Sequence, residues 1–177
     1  DMYVKIWTRL IAEYSDIFVF YRMGDDLGFQ TSTLLDPEMI RKYIFPQYKR
    51  IIDLVHVSGK KFLLHSCGNI FPVMDDLISL GIDAKHSNED NIAPYDRWVD
   101  DYGGRIGLAG GIDVNTLCLN PYEVVFEKVY EDVKRYRANA RGYAAGSGNS
   151  IPDYVPVEGY QAMIDAVARI REEESRR

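Results

Sequence analysis

Apolar positions along this chain recur with two different periods. Short β-branched or apolar runs that end in Gly, Asn or Asp alternate with longer stretches in which apolar residues return every three to four positions. The short runs predict strands over Ile17–Met23, Lys61–Cys67, Asp83–Asn88, Arg105–Gly110 and Gly142–Gly146. The longer stretches predict helices, beginning with an amphipathic one over Met2–Tyr14. Asp36-Pro37 is a capping residue followed by proline at the first helical position, and it opens a helix with Ile40, Ile44, Tyr48, Ile51 and Val55 on one face. Gly59 closes that helix, and Pro46, which lacks an N–H, is expected to kink it. Asn120-Pro121 repeats the start signal ahead of Val125, Val129, Val133 and Tyr136, and a last helix carries Tyr160, Met163, Ile164, Val167 and Ile170.

Strands that alternate with helices predict an α/β fold with a parallel sheet, because a parallel connection needs a crossover and the crossover helix covers the sheet face. No G-x-G-x-x-G or G-x-x-x-x-G-K-[ST] follows any strand, so a nucleotide-binding sheet lacks its usual sequence support. Polar residues and glycines gather instead at the strand C-terminal ends: Gly24-Asp25-Asp26, His65-Ser66-Cys67-Gly68-Asn69, His86-Ser87-Asn88-Glu89-Asp90, Gly110-Gly111-Ile112-Asp113 and Gly146-Ser147-Gly148-Asn149. A (β/α)8 barrel carries its catalytic residues on that face. No linker, low-complexity stretch or repeat beyond the alternation interrupts the chain, which predicts a single domain over residues 1–177.

Composition narrows the function classes. The 177 residues are 46% hydrophobic and 27% charged, as in an ordinary soluble domain. Lys plus Arg (21) against Asp plus Glu (27) leaves a net charge of −6, with no basic surplus to neutralise phosphates. Nucleic acid and anionic membrane are therefore poor partners. No apolar run approaches the roughly 20 residues of a membrane span. The opening Asp1-Met2-Tyr3-Val4-Lys5 has no leader pattern and two cysteines make no disulfide framework, so a cytoplasmic protein is expected.

The sharpest chemical signal is His65-x-Cys67. Side chains two apart on a strand share a face, so an imidazole and a thiol would converge at the strand's open end, a pair suited to zinc. A hydrogen-bonded interior histidine beside a small buried cysteine explains the same pattern. Asp25 and Asp26 offer a metal ligand, a general base or a substrate contact, or else a solvated turn. His86 is a candidate acid–base residue, sharing a face with Asn88, and Glu89 follows. Gly110 and Asp113, with Ser147 and Asn149, are candidate substrate contacts, whereas Cys118 is expected to pack. No aspartate–histidine relay accompanies Ser147.

The ordered set Asp25-Asp26-Leu27-Gly28, Pro37 to Pro46, Leu64-His65-Ser66-Cys67-Gly68-Asn69, Gly107-Leu108-Ala109-Gly110-Gly111-Ile112-Asp113 and Gly146-Ser147-Gly148-Asn149 followed by Val155-Pro156-Val157-Glu158 resembles the C-terminal half of the uroporphyrinogen decarboxylase family. The resemblance implies the C-terminal portion, about five βα units, of a (β/α)8 TIM barrel. That family includes haem-pathway decarboxylases and corrinoid-linked methyltransferases such as methylcobalamin:coenzyme M methyltransferases. His65-x-Cys67-Gly68 resembles the methyltransferase branch, in which this His and Cys bind zinc with a third Cys from a Gly-Cys-Gly after the last strand; here that position is Ser147, and it is not the Gly-His-Gly of the decarboxylases either. The resemblance implies His65 and Cys67 as metal ligands; with Ser147 in place of the third cysteine, the Asp25-Asp26 pair or Glu89 are the nearest candidates by strand-end position to complete the set, and Asp25, Asp26 and His86 stand as catalytic candidates. It implies zinc-dependent methyl transfer between a corrinoid, carried by a corrinoid protein, and a thiol or methylated small molecule. Two alternatives are decarboxylation of uroporphyrinogen or a related tetrapyrrole, and a silent fragment or binding module. In the last case a partner chain, such as a second copy, would cover the open sheet edges.

Overall fold

A computed structural model describes residues 1–176, and the chain divides into two compact units, Asp1–Lys85 and His86–Arg177. The expected alternation is present: five strands follow one another with helices between them, an α/β fold. Among the described residues no helix is long and apolar enough to cross a membrane.

The first unit runs α1 (Met2–Tyr14), β1 (Phe20–Gly24), α2 (Pro37–Met39), α3 (Phe45–Val57), β2 (Lys61–His65) and α4 (Met74–Leu80). β1 and β2 pair in parallel, with Phe20 opposite Lys61 and Gly24 opposite His65. Asp36 caps α2 as its position predicts, its Oδ1 accepting the Glu38 N–H at 2.8 Å. The expected kink at Pro46 takes a definite form. Ile40–Ile44 is a π-helical turn between α2 and α3, and Pro46 stands in the first turn of α3. Proline has no N–H to return to the preceding turn, so the backbone widens before it and regains α geometry after it. Phe62 and Leu64 of β2 are fully buried, as are Ile52 and Val55 of α3 and Leu77 of α4, while His65 is also buried. Each such apolar side chain contributes roughly 1.5–3 kcal/mol of burial free energy. A strand enclosed on both faces is what a parallel sheet produces.

Short β3 (Ala84–His86) spans the boundary, and the second unit continues with α5 (Tyr95–Tyr102), β4 (Gly107–Ile112), α6 (Val114–Leu119), α7 (Tyr122–Asn139), β5 (Tyr143–Ser147) and α8 (Val157–Ser175). β4 and β5 are parallel, with Leu108 opposite Tyr143 and Ile112 opposite Ser147. The core of this unit joins Ile112, Leu117, Val125, Val129, Val133, Met163 and Ile170, and Cys118 packs against it as expected.

Several expectations need correction, among them the end of the second strand, which stops at His65 rather than Cys67. The first strand starts at Phe20 rather than Ile17, which is exposed. The third strand stops at His86, because the buried Ser87 adopts a left-handed backbone (φ 100°) and ends the alternation that would have put His86 and Asn88 on one face. On α8 the buried stripe is Gly159, Ala162, Met163, Ala166 and Ile170, and Tyr160 and Ile164 face outward. The small residues are there because the helix comes close to its neighbour: a Cβ on Gly159 would lie 2.0 Å from the Leu117 carbonyl oxygen.

Candidate metal centre

His65 is the last residue of β2, and parallel pairing places it opposite Gly24, the last residue of β1. Hydrogen bonds carry the pairing past both strand ends. The Asp25 N–H donates to the His65 carbonyl at 3.0 Å, and the Gly28 N–H donates to the Cys67 carbonyl at 3.2 Å. Between them the Cys67 N–H donates to Asp26 Oδ1 at 2.9 Å, and the Leu27 N–H donates to the hydroxyl of fully buried Ser66 at 3.0 Å. The two loops then meet backbone to backbone, so closely that a Cβ on Gly68 would lie 2.1 Å from the Gly28 carbonyl carbon. Gly68 also has φ +83°, which leaves glycine as the residue that fits.

This clamp gathers Asp26, His65 and Cys67, whose ligand atoms all lie within 4.8 Å of one another. His65 Nε2 and Cys67 Sγ are 3.5 Å apart. A zinc ion bound to nitrogen at 2.0–2.1 Å and to sulfur at 2.3 Å in tetrahedral geometry separates those two atoms by about 3.6 Å. The donor set of imidazole, thiol and carboxylate is likewise one zinc accepts. Burial is graded across the group, from His65 (buried) through Cys67 (half-buried) to Asp26 (exposed). Three such donors with one exposed side are compatible with a zinc that keeps a position for substrate.

Asp25 faces different company. The Tyr48 hydroxyl, brought by α3, donates to Asp25 Oδ2 at 2.7 Å. Burial, and then the neighbouring Asp25 carboxylate, push the Tyr48 phenol well above its usual range, so it stays protonated and remains a donor. Asp25 and Tyr48 line a cavity of about 360 Å³ at the C-terminal end of β1. The sequence places Tyr48 on the buried face of its helix, and nothing in the periodicity marks its hydroxyl as a partner for Asp25.

The remaining candidates lie in the second unit. His86 Nε2 donates to the Ser147 carbonyl at 3.1 Å, and the Ser147 hydroxyl donates to the Asn149 carbonyl at 2.6 Å. Gly110 offers its carbonyl to the Tyr143 hydroxyl at 2.9 Å. Asp113 caps α6, with Oδ1 accepting from Asn115 N–H at 2.7 Å and Oδ2 from Asp90 N–H at 2.6 Å. Burial, reinforced by the Asp113 charge, raises the pKa of the Asp90 carboxyl. Asn88, which the sequence analysis treated only as a face-mate of His86, ties three segments together: its Oδ1 accepts from Gly111 N–H at 2.9 Å and its own N–H donates to the Gly148 carbonyl at 3.0 Å. Glu89, Asp113 and Asn149 line a cavity of about 410 Å³ in this unit.

The sequence profile of the family described as uroporphyrinogen decarboxylase (URO-D) matches residues 12–170. A search of curated proteins finds no match. Among solved structures the chain is similar to a methyltransferase from Methanosarcina mazei, with a TM-score of 0.65 and 18% identity over 95% of this chain and 54% of that one. The chain therefore spans about half the length of that protein, and at this identity the likeness is one of fold. With an α/β strand order in place and a profile match that covers nearly its whole length, the chain belongs to the uroporphyrinogen decarboxylase family.

Proposed function

We propose that Asp26, His65 and Cys67 hold a zinc ion and that the chain serves methyl transfer from a corrinoid to a thiol. The observation that carries this reading is the convergence of imidazole, thiol and carboxylate within 4.8 Å at one loop pair. Asp26 serves as the third ligand in a chain whose residue 147 is a serine. Zinc in such a site stabilises the thiolate form of a bound thiol at neutral pH.

The chain's own residues do the rest. The clamp of Gly28 against Gly68 fixes the two loops that bear the ligands. The Cys67 N–H orients Asp26 by its bond to Oδ1. The exposed side at Asp26 admits substrate. The thiol loses its proton to solvent, and its sulfur forms a bond to the methyl carbon. A corrinoid would supply the methyl group and would keep the electron pair of the bond that breaks, so that the thiol would become a thioether. A corrinoid protein is the natural donor partner.

The test has two arms. The purified chain, reconstituted with zinc and desalted, is expected to retain one zinc per chain, and Cys67→Ser to retain much less. With methylcobalamin and a small thiol, the zinc-loaded chain is expected to accelerate thioether formation and Cys67→Ser not to. A Cys67→Ser variant that holds zinc as well as the parent overturns the reading.

A further inference from the structure

Residues 25–28 are tied to residues 65–67 by hydrogen bonds of two kinds. Those donated by the Asp25 and Gly28 N–H groups end on the backbone carbonyls of His65 and Cys67, so they do not depend on which side chains are present. The others use side chains, and they are exchanged reciprocally. The Cys67 N–H donates to Asp26 Oδ1 at 2.9 Å, and the Leu27 N–H donates to Ser66 Oγ at 3.0 Å. Each segment thus lends one side-chain acceptor and one backbone donor, from residues adjacent in the chain.

This exchange holds Asp26 at two points. Its carboxylate is held through Oδ1. Its backbone is held because the peptide group is planar, so a fixed Leu27 N–H also fixes the plane that contains the Asp26 Cα. Ser66 is fully buried, and loss of its hydroxyl would leave a buried Leu27 N–H without its acceptor. Asp26 is the member of the group that most needs such a restraint. It is exposed where His65 is buried and Cys67 half-buried, and an exposed carboxylate has more conformational freedom to lose when it takes up an ion.

We infer that Ser66 is a positioning residue for the metal, acting through Leu27 on Asp26. This rests on the assignment of Asp26, His65 and Cys67 to zinc above, and adds to it a buried hydroxyl that is committed to Leu27 and sets where the exposed ligand stands. Ser66 also lies between His65 and Cys67 in the chain, so its loss could act on those two ligands instead. The two routes differ in one measurable respect: a residue that works through Asp26 has nothing left to position once the Asp26 carboxylate is gone.

The experiment is a double-mutant cycle of Ser66→Ala and Asp26→Asn on the full chain, with zinc affinity read by competition with a chromophoric chelator. Ser66→Ala alone is expected to weaken zinc binding on the order of tenfold, as loss of a group that orients a ligand does. In the Asp26→Asn background the same change is expected to cost less than about twofold, because two residues acting as one unit are not additive. With cobalt(II) in place of zinc, the visible d–d bands of Ser66→Ala are expected to move toward those of Asp26→Asn. Ser58→Ala is the control for lost stability: it removes a hydroxyl bonded to the Val55 carbonyl at 2.6 Å at the end of α3, and is expected to keep the parent's affinity and bands. If Ser66→Ala leaves zinc affinity unchanged, costs as much with Asp26→Asn as without it, or does not fold, the inference is overturned while the metal assignment stands. If the parent itself retains no zinc, both are overturned.

Discussion

His65 Nε2 and Cys67 Sγ stand 3.5 Å apart, although β2 ends at His65 and strand alternation alone does not bring them together. The turn after the strand does, held by the bond from Cys67 N–H to Asp26 and by the contact of Gly68 with Gly28. The pair is thus prepared by a tertiary clamp between the ends of two strands.

Asp26 and Asp25 are neighbours with different contacts, the one to the Cys67 N–H and the other to the Tyr48 hydroxyl, and metal binding should tell them apart. Asp26→Asn is expected to weaken zinc affinity on the order of tenfold or more, since it removes a charged ligand, while Asp25→Asn should change it by less than about threefold. Competition with a chromophoric chelator measures both. Equal losses from the two substitutions would remove Asp26 from the ligand set.

The clamp itself is testable through two glycines of similar backbone angle. Gly68 has φ +83° and no room for a Cβ, whereas Gly59 has φ +76° and open space around it. Gly59→Ala should cost about 1 kcal/mol, the conformational penalty alone. Gly68→Ala should cost about 3 kcal/mol or more, because backbone must also move. Chemical denaturation followed by circular dichroism gives both values, and the zinc affinity of Gly68→Ala should fall with its stability.

Asp83 gives the first unit a dependence on acid. Burial works against its ionisation, but donors from Lys61, the Phe62 N–H and His56 outweigh that and hold its pKa below the ordinary 3.8. A carboxyl with a depressed folded-state pKa contributes stability above its unfolded value and loses it as pH falls through the folded one. Asp83→Asn should therefore be less stable than the parent at pH 7, and the gap should close as pH drops below about 4. Denaturation midpoints measured from pH 7 to pH 2 check the trend, and a gap that stays constant would contradict it.

Tyr48 anchors α3 to the end of β1 through its hydroxyl. Tyr48→Phe keeps the buried ring and removes one bond to an exposed carboxylate, so a loss of about 1 kcal/mol is expected. Thermal melting reads it as a fall of a few degrees.

The α/β alternation and the helix starts beside Pro37 and Pro121 were legible in the sequence, and each rests on local chemistry, namely the period of apolar residues and a proline that fixes φ where a helix begins. Cys67 was expected beside His65 by strand alternation, but β2 ends at His65 and the following turn supplies that nearness instead. What lay beyond the sequence depends on residues distant along the chain. Asp26 joins His65 and Cys67 because parallel pairing of β1 with β2 brings two loops some 40 positions apart into register. Tyr48 finds Asp25 because α3 packs across the end of β1. Ser87 turns left-handed at a position where composition predicts strand, and the stripe on α8 follows its small residues because Gly159 lies against Leu117. Periodicity specifies which face of an element is buried, while register and close approach decide which side chains meet, and those are set by packing between elements.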